Sequence, residues 1–149
     1  MPWTWTRERR LSAEDPDRGS AVVEFVGLGL LLLIPIMYLV VTVARVQAGS
    51  FAVVAAAEQA GQAVSVLEAR DLGAAGVHDV AAVAARDHGF APEDLTVTVS
   101  CSDGSCETPG AVATVHAVVT VRLPGVPGFV TANVASLSSD VTVISGRYS

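Results

Sequence analysis

Phe25 to Ala44, FVGLGLLLLIPIMYLVVTVA, is a run of twenty residues without a formal charge, and Arg45 ends it. A helix rises 1.5 Å per residue, so such a run extends about 30 Å, the thickness of the hydrocarbon core of a bilayer. A core helix of a soluble domain seldom needs so long an uninterrupted apolar stretch. The run therefore predicts one membrane-spanning helix over about Val22 to Ala44, bent near Pro35, whose ring removes a backbone donor. A second reading stays open, a cleaved secretory signal with Val46 and Ala48 as small residues before Gly49, although its apolar core would be unusually long. Arg9-Arg10 hints at a twin-arginine signal, but Glu14-Asp15-Pro16-Asp17 interrupts the path to the apolar run.

With the span set aside, roughly a hundred of the 149 residues remain, near the lower limit at which one core is self-sufficient. Charge is unevenly spread. Residues 1–19 carry four Arg (Arg7, Arg9, Arg10, Arg18) and four acids, whereas residues 46–149 carry four Arg against ten acids and the chain has no Lys. An acidic surface of this kind excludes nucleic acid as a partner, since phosphate binding needs clustered cations. Four Arg precede the span and only Arg45 soon follows it, so the positive-inside rule keeps the N-terminus in the cytoplasm and sends the rest across. The expected organisation is a leader (1–19), a transmembrane helix (20–45) and an extracytoplasmic domain (46–149) of a single-pass cytoplasmic-membrane protein.

The junction before the span reads Arg18-Gly19-Ser20-Ala21-Val22-Val23-Glu24-Phe25. A carboxylate inside an apolar helix costs a few kcal/mol even on lenient scales, so Glu24 calls for a partner, unless it is merely an interfacial acid at a helix end. Gly19, four intervening residues, then Glu24 and Phe25 resemble the processing site of type IV prepilins. That resemblance implies cleavage by a prepilin peptidase between Gly19 and Ser20, with Ser20 the first mature residue and Glu24 the fifth. The new Ser20 ammonium would then face the Glu24 carboxylate of a neighbouring subunit. Within that superfamily the chain is most similar to the TadE-like pseudopilins of the tight-adherence (Tad, or Flp) pilus system, through this junction and through Ala55-Ala56-Ala57-Glu58-Gln59-Ala60-Gly61-Gln62-Ala63 beyond the span. The likeness covers roughly Arg18 to Val66. Family members often have Pro soon after the Glu, whereas here the only Pro of the span is Pro35. The implied partners are the prepilin peptidase, other pilins or pseudopilins, the inner-membrane pilus assembly platform and membrane lipid, with a role in filament assembly or adhesion.

Beyond Arg45 the helix is expected to continue toward Arg70, with Val53, Ala57, Ala60, Val64 and Leu67 forming one seam for the chain's own domain or for a neighbour. Asp71-Leu72-Gly73 should break it. A second helix follows from Ala74 to His88, closed by Gly89, with an apolar stripe of Val77, Val80, Ala81 and Ala84. The period then changes to two, along Leu95 to Cys101 and along Thr114 to Leu123, and Leu137 to Ile144 offers a third strand. The fold class is α+β: a long N-terminal helix, a short second helix and a small antiparallel sheet of about three strands.

Cys101 and Cys106, the only cysteines, bracket Ser-Asp-Gly-Ser between the first two strands. An even pair around an Asp-Gly turn suits an antiparallel hairpin closed by a disulfide in an oxidising compartment, with two free thiols as the alternative. No nucleophile elbow, phosphate loop or His-Glu-x-x-His motif is present. His78, His88 and His116 are too dispersed to make a metal site, so catalytic residues, metal and cofactors are all expected to be none. Two alternatives to the pilin role remain: a membrane-anchored extracytoplasmic domain outside any filament, and a secreted binding protein cleaved near Ala48.

Overall fold

The computed structural model describes residues 17–66, 69–106, 108, 110–126 and 133–145, with the backbone alone at 17–19, 69–72 and 134. The leader up to residue 16 and the expected seam residue Leu67 lie outside the described residues. By contacts the chain forms two units, Met1–Tyr38 and Leu39–Ser149. It is α+β, with helix α1 (Asp17–Val66), helix α2 (Ala69–Asp87), a 3-10 turn (Pro92–Asp94) and strands β1 (Leu95–Cys101), β2 (Val112–Arg122) and β3 (Asn133–Ile144).

α1 is the one helix among the described residues that is long and apolar enough to cross a membrane. In the first unit every side chain described is exposed, Phe25 among them at 77 %. Pro35 lies within α1.

In the second unit the same helix carries a different pattern. Val53, Ala57, Ala60 and Val64, the expected seam, are buried, as are Ala52, Ala56 and Gly61, while Glu58 and Gln62 are exposed. They pack in one core with the sheet, so the small residues of the seam serve the chain's own domain. Alanine and glycine bring the helix backbone close to the sheet: a Cβ on Gly49 would meet Val121 and Leu137, and one on Gly61 would meet Val141. α1 ends at Val66, earlier than the expected Arg70.

α2 spans a kink at Gly73, whose φ of 59° and ψ of 172° only glycine adopts cheaply, so the break sits at the expected Asp71-Leu72-Gly73 even though helical residues resume ahead of it. Its end is a Schellman motif. Gly89, at φ 80°, donates its N–H to the Arg86 carbonyl at 2.9 Å, and Phe90 donates to the Ala85 carbonyl at 3.1 Å. Phe90 is thereby tucked into the core. The buried stripe is Val77, Ala81, Ala82 and Ala85, rather than the expected one through Val80 and Ala84, which are only half-buried. Seating Ala85 against the core beside Phe90 turns the helix toward that side.

The sheet is antiparallel in the order β1-β2-β3. Leu95 faces Val119 and Cys101 faces Ala113 across the first pair; Ala113 faces Val143 and Val119 faces Leu137 across the second. Strand alternation thus places Ala113, Val115, Ala117, Val119 and Val121 on the helix-covered face, where all are buried. The opposite face presents hydroxyls, including Thr98, Ser100, Thr114 and Thr142. β3 begins four residues before the expected Leu137, at Asn133, and a bulge shifts its register opposite Val121 and Arg122.

Candidate functional site

α1 carries Gly19, Ser20, Glu24 and Phe25 in one continuous stretch. Ser20 and Glu24 are four apart, which puts them on one side of the helix about one turn from each other. Both are exposed, as is Phe25. No cation among the described side chains forms an ion pair with Glu24. The carboxylate therefore stands at the head of the exposed apolar run with its charge uncompensated by this chain's described residues. Such a carboxylate is free to accept a cation from another molecule.

The cysteine pair lies in the second unit. Cys101 ends β1 and is joined to Cys106 by a disulfide, with a Cα–Cα distance of 5.2 Å. The Asp103 carboxylate organises the loop between them, which sequence had marked only as a turn. It receives the backbone N–H of Ser105 at 3.1 Å, of Cys106 at 2.7 Å and of Thr108 at 2.9 Å. These bonds, the one from Thr108 first and that from Cys106 second, hold its pKa well below the ordinary carboxylate range, because protonation would remove the acceptor. The available signal was the tendency of Asp to bond the backbone two residues on. Cys106 itself has φ 62°, unusual for a residue with a side chain, and its N–H is the one that Asp103 holds most closely.

The histidines lie apart. His78 Nε2 is 3.3 Å from the Leu95 carbonyl, His88 is exposed beside the cap of α2, and His116 Nδ1 is 2.6 Å from Asp140 Oδ1 on the open face of the sheet. Among the described residues no group of three or more His, Cys, Asp or Glu is placed to hold a metal ion.

The fold and the exposed run define an α+β chain with one candidate membrane-spanning helix near its N-terminus and a disulfide in its sheet domain. Compared with family models, with curated proteins and with solved structures, the chain finds no match.

Proposed function

We propose that the chain is a TadE-like minor pseudopilin of a tight-adherence (Tad, or Flp) type IV-like pilus, acting in filament assembly or adhesion. In this reading a prepilin peptidase cuts between Gly19 and Ser20, the N-terminus starts in the cytoplasm, and residues 46–149 stand outside the membrane. The observation that carries it is the division of labour along α1. One helix passes through the Gly19-Ser20 junction and Glu24, leaves its apolar residues exposed, and then buries Ala52, Ala56, Ala60 and Val64 in the domain core. A helix that only completed a soluble core would not leave nearly all of a twenty-residue uncharged run exposed, because contiguous apolar surface on that scale draws lipid or protein onto it. Glu24 supplies the second support, an acid placed to meet the amine that cleavage would expose one turn earlier. The role is structural. Its partners are the peptidase, other pilins, the inner-membrane assembly platform and lipid.

The test is the N-terminal sequence of the mature protein recovered from membranes. A start at Ser20 supports the proposal. An intact leader points to a membrane-anchored domain outside any filament, and a start at Gly49 to a secreted binding protein; either rejects it.

A further inference from the structure

A hollow of about 320 Å³ lies between α1, the turn that closes α2 and the end of β2, wholly within residues 39–149. Arg45, the residue that ends the apolar run, lines it, and so does Arg122 at the end of β2. The Arg45 guanidinium donates from Nη1 to the Gly89 carbonyl at 3.4 Å, and the rest of its five N–H groups have no acceptor among the described residues. Arg122 Nη2 lies 2.7 Å from Asp94 Oδ1, but off the axis of an aligned hydrogen bond, so the contact acts as a charge pair. The lining thus holds two guanidinium groups and one carboxylate, which pairs with Arg122. The lining keeps a net positive charge although the ten acids of residues 45–149 outnumber their five Arg.

We propose that this hollow receives the phosphodiester of an anionic membrane phospholipid, with Arg45 and Arg122 as its cationic ligands. The proposal rests on the membrane reading of residues 25–44: where the apolar run ends, head groups begin, and Arg45 is the next residue. Guanidinium forks match phosphate oxygens in pairs, which a lysine would not do as well. Of the three arginine side chains described after the run, Arg45, Arg86 and Arg122, two line this hollow. Beside the polar Thr120 and Asp94, the side chains of Leu123 and Pro124 also line the hollow and offer the glycerol ester carbons next to the phosphate a surface that a free anion would not use. A localised cationic hollow on an otherwise acidic domain sets which part of it meets an anionic lipid.

The experiment is native mass spectrometry of the full chain in a mild detergent carrying equal phosphatidylglycerol and phosphatidylcholine. Preferential retention of phosphatidylglycerol is expected, with Arg45→Gln and Arg122→Gln each lowering the preference by about fivefold, the factor equivalent to about 1 kcal/mol per charge near an anionic surface. Arg86→Gln should leave it unchanged. Equal retention of the two lipids by the wild-type chain overturns the proposal. So does loss of the preference on adding inorganic phosphate at the lipid's concentration, which assigns the hollow to the free anion. Phosphatidylglycerol with a photoreactive head group tests the wild-type chain without any variant: crosslinks at Arg45, within residues 89–94 or within residues 120–125 support the site, and crosslinks confined elsewhere overturn it. Carbonate extraction of membranes separates the two layers of inference. A chain that leaves the membrane fails the membrane reading itself, whereas one that stays without lipid preference fails only this proposal.

Discussion

Gly49 rests against Val121 so closely that a Cβ on the glycine would lie 2.8 Å from Val121 Cγ2, with Leu137 Cδ1 at 2.9 Å. Gly61 is in the same situation, 2.9 Å from Val141 Cγ1. Replacing glycine by alanine in a helix gains about 1 kcal/mol of propensity. Overpacking a tight contact costs about 1–3 kcal/mol, so the loss wins. Gly49→Ala and Gly61→Ala should lower the melting temperature of the full chain in detergent, and Gly49→Leu should lower it further. Gly27→Ala, where nothing lies within 4 Å of a new Cβ, should leave it unchanged or raise it.

Phe90 is the largest apolar side chain that the cap of α2 delivers to the core, with 5 % of its surface exposed. Phe90→Ala should cost about 3–5 kcal/mol, the usual range for emptying a buried phenylalanine site. Gly89→Ala should cost about 1–3 kcal/mol, because its φ of 80° is strained for any residue with a Cβ. Chemical denaturation followed by circular dichroism measures both, and equal stabilities of Gly89→Ala and the wild type would discard the Schellman account.

The Asp103 loop predicts a pH response of known sign. The pKa of the folded carboxyl is depressed, so its contribution is fully present above the unfolded value of about 3.9 and is lost only as pH falls through the lower folded value. Amide signals of Ser105, Cys106 and Thr108 in an NMR titration should therefore hold steady through pH 4 and move below it. Asp103→Ala should speed hydrogen exchange at those three amides above pH 4, where the carboxylate holds them, while exchange in mid-β2 stays as it was.

His116 and Asp140 form a close pair, but both side chains are largely open to solvent, at 45 % and 63 % exposure. Exposed pairs are screened and contribute about 0.2–1 kcal/mol. A double-mutant cycle on His116→Ala and Asp140→Ala should give a coupling within that range. A larger value would mean that something covers this face of the sheet.

Much of the fold was legible because its signals are local. The apolar run, the helical recurrence of Val53, Ala57, Ala60 and Val64, the strand alternation from Leu95 to Cys101 and the turn chemistry of Gly73 and Gly89 each act within a few residues. Features set by pairing over long separations were not legible. The buried face of α2 depends on where Phe90 finds its place beneath the helix, and the His116–Asp140 pair depends on the register of β3, which a ten-residue connection from Leu123 to Ala132 leaves open. The contribution of Asp103 was missed for a different reason: an Asp-Gly pair marks a turn without stating how many amides the carboxylate will gather. At the head of α1, spacing alone placed Ser20 and Glu24 one turn apart, and the helix there is regular enough for that spacing to hold.

Glu24 carries the last prediction. Its carboxylate is exposed, without an ion-pair partner among the described side chains, and sits just ahead of the apolar run. An acid in that position opposes insertion, so Glu24→Ala and Glu24→Gln should enter the membrane at least as well as the wild type. Filament incorporation should behave in the opposite way. If the carboxylate pairs with the Ser20 amine of a neighbouring subunit in an apolar bundle, removing it leaves a buried cation unpaired, a loss large enough to reduce incorporation by about tenfold or more. Immunoblots of sheared filaments against the membrane fraction read the two effects separately. Both variants should stay in the membrane fraction and be depleted from filaments, with Gln no better than Ala because charge is what matters. Equal incorporation of all three chains would remove the pairing role and leave Glu24 as an interfacial acid.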